Sequence, residues 1–251
     1  MRTLRLTIAY DGTRYAGWQA QPKAPKPTVQ GTLQRVLARI IREPVRVVAS
    51  GRTDAGVHAL AQVAHVRTRS SVACERLLRS LNHLLPRDIA VLQVEEASPT
   101  FHARFDARRK RYRYRLCTAA VVSPFVRPYV VHVRSPLNVS RMRREAKTLL
   151  GRHSFRAFAR ASRWRDGVRH VITAIEVRRR REEVHIEVEG TGFAHTMMRS
   201  IVGTLLDVGR GRRPLGTIRR MLTTGDRRLA GATAPAKGLV LIGVLYGGGS
   251  S

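Results

Sequence analysis

The sequence predicts an α+β fold, because stretches with the period of a β-strand alternate with stretches that have the period of an α-helix. Apolar and polar residues alternate from Leu4 to Tyr10, which is typical of a strand with one buried face. The apolar residues between Val29 and Ile41 recur at spacings of three and four, which is typical of one helical face. Strand–helix–strand units occur in both halves of the chain and suggest two similar halves, although their residues show no obvious repeat.

The first hundred residues contain two predicted helices between predicted strands. Thr28 is a suitable N-cap for the first helix, and Pro44 is expected to end it. The second helix is predicted over residues 74–85 and stops before Pro86. Both helices are expected to pack on one side of the sheet. The remaining strands of this half are predicted at residues 45–50, 60–66 and 89–94.

The second half begins with a strand whose two faces differ chemically. Arginines at positions 109, 111, 113 and 115 alternate with Lys110, Tyr112, Tyr114 and Leu116, so one face is guanidinium and the other mostly aromatic. Further elements are predicted as helices at 140–150, 194–208 and 218–222, a hairpin of strands at 171–178 and 183–188, and a last strand at 239–246. The boundary between the halves is placed near residue 100, which gives domains 1–100 and 101–246 and a flexible tail over 247–251.

Arg199 stands apart from the apolar residues of the predicted helix 194–208. Those residues form one stripe, made of Met197, Met198, Ile201, Val202, Leu205 and Leu206. At about 100° per residue, Arg199 lies roughly 110° from the centre of that stripe. This position suits a side chain that faces a cleft, and it equally suits an ordinary solvated arginine.

The charge of the chain points to a polyanionic partner. The 251 residues include 47 Lys or Arg and 17 Asp or Glu, which gives a formal net charge of +30. Nucleic acid is the obvious polyanion to share such a field. All but five of the basic residues are Arg, the side chain that binds phosphate bidentately and stacks on bases. A GC-rich genome would also favour Arg over Lys, so composition alone names no reaction.

Several classes of protein are excluded or disfavoured by the same sequence. No stretch approaches the roughly 20 apolar residues that a membrane-spanning helix needs. The two cysteines, Cys74 and Cys117, cannot make a disulfide framework and are expected to be reduced thiols of a cytoplasmic protein. The nine histidines lack metal-ligand spacing, and no nucleotide-cofactor motif is present. We therefore expect no cofactor and no metal.

One loop carries the strongest candidate for chemistry. The sequence SGRTDAGVH at residues 50–58 places Asp54 between two predicted strands, close to glycines and next to Arg52. Glycines permit tight turns and close approach of a substrate. The plain alternative is an aspartate that hydrogen-bonds the backbone of its own turn, next to an arginine that is only solvated.

This loop and several other segments resemble the tRNA pseudouridine synthase A family. The loop matches the family signature as GRTDAGVH at residues 51–58. The resemblance continues in order through YDG at 10–12, GWQ at 17–19, FHARF at 101–105, KRYRY at 110–114, GF at 192–193 with His195, MR at 198–199, IVG at 201–203, ATAPA at 232–236 and GL at 238–239. It covers nearly the whole chain.

The resemblance implies an isomerase that converts uridine to pseudouridine in the anticodon stem-loop of tRNA, at family positions 38–40. The N-glycosidic bond breaks, the uracil is turned, and a carbon–carbon bond forms at C5, so no redox cofactor is needed. The implied fold is two mainly antiparallel sheets with helices on one face, joined into one continuous sheet with a basic central RNA cleft. Members of the family work as homodimers, so tRNA and a second copy are the expected partners.

The resemblance also assigns roles to individual residues. It makes Asp54 the essential catalytic aspartate, Arg199 the cation that keeps it ionised, and Tyr112 the active-site tyrosine that stacks on the target base. Arg52 and His58 are implied to bind substrate, Arg52 at the extruded nucleotide. Tyr112 could instead fill a core together with Tyr114, and His58 could pack or cap.

Two readings other than catalysis remain at this point. A non-catalytic RNA-binding protein could use the same sheet, with its aromatic residues stacking on bases and Asp54 in an ordinary turn. A basic nucleic-acid-packaging protein is less suited, because it would not need so much β-pattern and Val-rich core. The basic clusters at residues 108–111, 160–169 and 210–213 are candidate contacts to the RNA backbone.

Overall fold

A computed structural model describes residues 1–22, 25–160, 164 and 167–247 of the chain. In these residues it has five α-helices and ten strands, so the predicted α+β class is confirmed. The helices are α1 (Val29–Ile41), α2 (Cys74–Leu84), α3 (Val139–Lys147), α4 (Met197–Gly209) and α5 (Thr217–Thr224). The strands are β1 (Arg2–Tyr10), β2 (Val48–Ala49), β3 (His58–Thr68), β4 (Ile89–Ala97), β5 (Ala107–Cys117), β6 (Val131–His132), β7 (Gly151–His153), β8 (His170–Arg180), β9 (Glu183–Gly190) and β10 (Leu239–Tyr246).

The chain folds as two compact units. Among the described residues, the first unit comprises Met1–Arg108 and 240–247, and the second comprises Arg109–Leu239. The division into domains 1–100 and 101–246 stays a prediction. The predicted tail at 247–251 lies outside the described residues beyond Gly247.

The first unit is built on strands in the order β4, β1, β3 and β10, with β2 added to β3. β1 lies antiparallel to both β3 and β4, while β10 runs parallel to β3. Leu4, Leu6 and Ile8 are buried in alternation along β1, as the period-two pattern predicts. α1 begins as predicted, because the Thr28 side chain accepts a hydrogen bond from the Gly31 amide.

The second unit has strands in the order β5, β9, β8 and β7, with β6 beside β5. β5, β9, β8 and β7 are antiparallel neighbours, and β6 runs parallel to β5. The predicted hairpin is confirmed as β8 and β9, which turn at Arg181 in the left-handed region with φ 52°. The apolar stripe of α4 is buried, and α3 packs against both α4 and β8.

Element boundaries differ from the predictions where local geometry intervenes. The strand predicted over 45–50 is only Val48–Ala49. α1 ends at Ile41 because Arg42 adopts a left-handed conformation with φ 57°, before Pro44 is reached. α4 begins at Met197 rather than 194, because Thr196 has φ 63°. No described helix is both long enough and apolar enough to cross a membrane.

Glu145 is a buried carboxylate that joins two helices of the second unit. Its side chain lies on α3 and the residue is 1% exposed. The carboxylate accepts hydrogen bonds from the backbone amides of Gly216, at 2.8 Å, and Ile218, at 2.6 Å. These amides are at the N-terminus of α5, where a helix has unpaired donors and a partial positive charge. Glu145 therefore fixes the start of α5 against α3.

Replacing Glu145 by Ala is expected to lower the free energy of unfolding by about 2 kcal/mol or more, because two amides lose a charged acceptor. Glu145→Gln keeps one carbonyl acceptor and is expected to lose less. The measurement is urea unfolding followed by circular dichroism, with Glu176→Ala, at an exposed ion pair with Arg178, as the control within about 0.5 kcal/mol of the parent. Equal losses for Glu145→Ala and Glu176→Ala would contradict this role.

Candidate active site

Asp54 lies in the connection of a β-hairpin, between β2 and β3, whose strands pair antiparallel. The start of the connection, Ser50 and Gly51, is tied to β3 by hydrogen bonds. The amide of Ser50 donates to the carbonyl of Val63 at 2.8 Å, and the Ser50 hydroxyl donates to Oε1 of Gln62 at 2.7 Å. The amide group of Gln62 in turn donates to the carbonyl of Gly51 at 3.0 Å. Ser50 and Gln62 are fully buried, so these bonds are shielded from water.

The loop alternates between buried anchors and residues at the surface. Thr53 and Val57 are buried, whereas Arg52 is exposed and Asp54 is half-buried. A backbone hydrogen bond from the amide of Val57 to the carbonyl of Asp54, 3.1 Å long, closes the turn. The Asp54 side chain therefore sits on a closed turn, within reach of solvent, two residues after the exposed Arg52.

Two aromatic residues of the first unit hold Thr53, the residue before Asp54. The hydroxyl groups of Tyr10 and Thr53 are hydrogen-bonded at 2.8 Å, and the backbone amide of Trp18 donates to the Thr53 carbonyl at 3.1 Å. The two aromatic rings pack with centroids 5.9 Å apart. Burial raises the pKa of Tyr10 to about 12, against the smaller opposing effects of hydrogen bonds with Thr53 and Gln62. The phenol therefore stays neutral at physiological pH and remains able to donate.

Gly17 lets the segment before Trp18 approach the loop backbone. Its φ is +94°, a conformation that residues with a Cβ rarely adopt. A Cβ built at this position would lie 2.7 Å from the carbonyl oxygen of Thr53 and 3.1 Å from the carbonyl carbon of Asp54. A side chain there would therefore push directly on the peptide that carries Asp54.

His58 lies at the start of β3, where it contacts the turn that follows β1. The backbone amide of Gly12 donates to Nδ1 of His58 at 3.1 Å, and the same nitrogen is 3.1 Å from a carboxylate oxygen of Asp11. His58 is buried, which suits the packing role left open above. Its binding of substrate stays a prediction.

In the second unit, β5 places two tyrosines on the buried face. Tyr114 is fully buried and its hydroxyl donates to the carbonyl of Pro235 at 2.8 Å. Tyr112 is 7% exposed and meets the ring of Phe193 edge to face, with centroids 5.0 Å apart. This contact fixes the plane of the Tyr112 ring.

Arg199 projects from α4 and is held by the segment that follows α5. Its Nε donates to the carbonyl of Ala234 at 2.7 Å, and the amide of Ala234 donates back to the Arg199 carbonyl at 3.0 Å. The approach depends on Gly203, where a Cβ would lie 1.8 Å from the carbonyl oxygen of Ala232. Arg199 is half-buried, so its guanidinium has a fixed orientation.

Much of the positive charge on β5 is already neutralised within the second unit. Four arginines of β5 form ion pairs with three glutamates of β9: Arg109 with Glu189, Arg111 and Arg113 with Glu187, and Arg115 with Glu183. Hydrogen bonds from Arg115 lower the pKa of the Glu183 carboxyl, so this pair stays charged near neutrality. The guanidinium face predicted for this strand is thus a set of cross-strand ion pairs.

The three basic clusters of the sequence differ in what the structure describes. In the cluster 108–111, Arg109 and Arg111 belong to the ion pairs above. In the cluster 210–213, Arg213 lies 3.5 Å from a carboxylate oxygen of Asp207. Most of the cluster 160–169 lies outside the described residues. Their contacts with an RNA backbone stay predictions.

Among the described residues, no three His, Cys, Asp or Glu side chains gather in a way that could hold a metal ion. Cys74 and Cys117 are free thiols, the first half-buried and the second buried.

Sequence reasoning places Asp54, Arg52 and His58 near one another. The structure puts Arg52 and Asp54 on one loop of the first unit and His58 at the start of β3, which follows that loop. Tyr112 and Arg199 belong to the second unit. The supporting residues Gln62 and Thr53 were missed, and Tyr10, Gly17 and Trp18 entered only through the family resemblance. In the sequence, Tyr10, Gly17 and Trp18 are marked by two short motifs before α1, YDG at 10–12 and GWQ at 17–19.

Comparisons with known proteins give one consistent result. A family model described as "tRNA pseudouridine synthase" matches residues 6–106 and 146–247. The chain is 44% identical over 247 residues to "tRNA pseudouridine synthase A" of Exiguobacterium sp., covering 98% of both chains. It is 42% identical to the protein of that name from Brevibacillus brevis, covering 98% of this chain and 100% of that one. The Moorella thermoacetica protein is 44% identical with the same coverage.

One solved structure is more distantly similar. It is a chain of a Cbf5-Nop10-Gar1 complex, with a TM-score of 0.32 and 14% sequence identity. The similarity covers 80% of this chain and 54% of that chain, and it is too low to bear on the site.

Gly17→Ala is expected to loosen the Asp54 loop without unfolding the first unit, because the new Cβ presses on the peptides of Thr53 and Asp54. Amide hydrogen exchange over residues 53–57 should become at least about tenfold faster, since the turn bond from Val57 opens more often. The matched control is Gly243→Ala on β10, where a Cβ meets nothing within 4 Å. Unchanged exchange over the loop in Gly17→Ala would contradict the role of this glycine.

Proposed function

This chain belongs to the tRNA pseudouridine synthase family and isomerises uridine to pseudouridine in tRNA; from that premise we propose that its targets lie in the anticodon stem-loop and that Asp54 is its catalytic residue. The alternative of a non-catalytic RNA-binding protein is not favoured, because the relatives are named as synthases over nearly their full length. The single observation that carries the proposal for Asp54 is its place on a closed turn that is open to solvent. Gln62 of β3 holds this loop at Gly51, and Tyr10 and Trp18 hold it at Thr53.

The reaction is an isomerisation in which atoms and electrons balance without a second reactant. The bond from C1′ of ribose to N1 of uracil breaks, the base turns, and a bond from C1′ to C5 forms. The proton at C5 is lost, and N1 gains a proton. Three routes exist for the aspartate: attack on the sugar, attack on the ring, or removal of a sugar proton. Each requires the ionised carboxylate, so all three place the same demand on Asp54.

The target base must leave its stack before it can reach a carboxylate on a protein loop, at a cost of a few kcal/mol. We propose that Arg52, the exposed cation two residues before Asp54, binds the extruded nucleotide and offsets part of this cost. The buried His58 is proposed to take part in binding the same nucleotide, from a position fixed by its contacts with Asp11 and Gly12.

Arg199 is proposed to keep Asp54 ionised in the substrate complex, because an adjacent cation favours the charged form of a carboxyl group. The support is that its Nε is held by the Ala234 carbonyl, so the guanidinium does not have to be ordered when RNA binds. Tyr112 is proposed to stack on the target base, with its ring plane set by Phe193.

We further propose that the protein works as a cytoplasmic homodimer, as the family resemblance implies. One subunit would then hold the body of the tRNA while the other modifies it. Light scattering measures the mass of the protein in solution, alone and in complex with tRNA. A complex that contains only one protein subunit would contradict the dimer.

Asp54→Asn is expected to abolish tritium release from tRNA labelled at C5 of uridine, by on the order of a thousandfold or more, because the amide cannot act as nucleophile or base. Binding of tRNA should stay within about threefold of the parent. The matched control is Asp226→Asn, which removes a carboxylate at the N-cap of a short helical turn of the second unit, residues 227–229, and should leave release unchanged. Full tritium release by Asp54→Asn would reject the catalytic role of Asp54.

The proposed location of the targets is tested separately, by mapping pseudouridines in tRNA treated with the parent protein. Pseudouridines only outside the anticodon stem-loop would contradict it.

Arg199→Ala is expected to lower the single-turnover rate far more than the affinity for tRNA. The reason is that the proposal gives its guanidinium a role in the reaction rather than in holding the RNA backbone. Arg219→Ala, at an exposed position of α5, removes the same charge as a control and should leave the single-turnover rate within about twofold of the parent. Equal losses of rate and affinity in Arg199→Ala would make Arg199 a phosphate contact instead.

A further inference from the structure

The connection between β4 and β5 carries an exposed aromatic ring that is part of an ordered stack. Phe105 is 77% exposed, and its ring lies on that of His102, with centroids 4.2 Å apart and an angle of 26° between the planes. His102 in turn packs against His65 of β3, with centroids 4.8 Å apart, and His65 is buried. The three rings form a column that starts on the sheet of the first unit and ends in solvent at Phe105.

The segment that bears this ring column is tied to the sheet through Ala103. The Ala103 amide donates to Nδ1 of His65 at 3.1 Å, and its carbonyl accepts a hydrogen bond from the hydroxyl of Tyr246 on β10 at 2.7 Å. Burial lowers the pKa of His65 to about 4, so this ring is neutral near pH 7 and its Nδ1 can accept the amide hydrogen. Ala103 is fully buried, so both bonds are shielded from water.

Hydrogen bonds within the turn fix the His102 ring further. The amide of Asp106 donates to the His102 carbonyl at 3.0 Å, and the amide of His102 donates to a carboxylate oxygen of Asp106 at 2.8 Å. The amides of Arg104 and Phe105 both donate to Nδ1 of His102 at 3.2 Å. The turn therefore holds its own histidine in place, and this histidine is a fixed support for the ring of Phe105.

The Phe105 ring keeps an open surface although a cation lies beside it. The guanidinium carbon of Arg104 is 5.9 Å from the centroid of this ring, which is within the range of a cation–π contact, and Phe105 is still mostly exposed. A phenylalanine that stays in water contributes little apolar burial to folding. A single exposed apolar side chain needs no explanation, whereas a ring that is held in place on a buried support is preorganised for binding.

We propose that Phe105 stacks on an unpaired base of the tRNA outside the target uridine, and that Arg104 contacts the phosphate of the same nucleotide. Every base has a flat face that stacks on an aromatic ring, and unpaired bases of RNA are commonly bound in this way. A second copy of this chain suits the surface less well, because a symmetric contact between two copies would bring two Arg104 side chains together. This inference rests on the proposed function only in that the bound polymer is tRNA.

The Phe105 ring lies far from Asp54 along the first unit. Asp54 precedes β3, which starts at His58, whereas the ring column meets this strand at His65. The length of extended strand from His58 to His65 is on the order of 20 Å, which corresponds to several nucleotides of RNA. Phe105 therefore binds flanking RNA, and it supplies affinity and register rather than chemistry.

The test replaces Phe105 by residues that lose or keep a flat ring. Phe105→Ala is expected to raise the dissociation constant of fluorescein-labelled tRNA about tenfold, and Phe105→Leu, which is apolar but not flat, at least about fivefold. Phe105→Trp should stay within about twofold of the parent or bind more tightly. The matched control is Phe125→Ala, at a phenylalanine that is 88% exposed in the second unit, and it should bind within about twofold of the parent. Binding is followed by fluorescence anisotropy.

Two further measurements separate the base contact from the phosphate contact. A fully paired RNA duplex offers no unpaired base, so Phe105→Ala should bind it as tightly as the parent does. Arg104→Gln should reduce the slope of log Kd against log salt by about 0.7, whereas Phe105→Leu should leave this slope unchanged, because it removes no charge. Arg180→Gln, at an exposed position of β8, is the control for loss of surface charge and should not change the slope.

The outcomes separate this inference from the proposed function. Binding of tRNA by Phe105→Ala and Phe105→Leu as tight as that of the parent would overturn the stacking site. Equal losses on tRNA and on the paired duplex would also overturn it, because they would indicate a contact with the RNA backbone. A Phe105→Ala protein that binds tRNA normally but changes mass in light scattering would make the ring part of an interface between copies. These results stand whether or not Asp54→Asn abolishes activity, because binding is measured without turnover.

Discussion

The close approach of the backbone at Gly17 to the peptide of Thr53 and Asp54 is the contact on which the rest of the site depends. It allows the Trp18 amide to reach the Thr53 carbonyl, and it leaves room for the Tyr10 hydroxyl on the Thr53 side chain. The loop is thereby fixed from the β1 side, while Gln62 fixes it from β3. The position of Asp54 is therefore fixed although its side chain is half-exposed. A carboxylate on a flexible loop would not have a fixed position.

The net charge of +30 divides into groups with different physical roles. The arginines of β5 are compensated by glutamates of β9 and contribute cross-strand stability, worth little individually where they are exposed. Arg199 is oriented by the carbonyl oxygen of Ala234. Binding of RNA is thus expected to depend on a subset of the basic residues, and that subset is set by where the glutamates lie.

In the second unit, the ATAPA segment connects residues that the sequence separates widely. It contacts α4 through Ala232 and Ala234 and β5 through Pro235. Small side chains and Gly203 permit this close packing, since a Cβ at position 203 would meet the Ala232 carbonyl. A shift of this segment would therefore move Arg199 and Tyr114 together, so the orientations of these two side chains share one mechanical support.

The sequence by itself determined the α+β class, the cores of most strands and helices, and the loop that carries Asp54, because periodicity and glycine placement are local properties of the chain. It did not determine that Tyr10 holds Thr53, that Glu145 caps α5, or that the guanidinium face of β5 is paired with glutamates of β9. Each of these joins residues between about 40 and 80 positions apart. A repeating pattern states which face of an element is buried, whereas strand register and helix packing decide which side chains meet across that face.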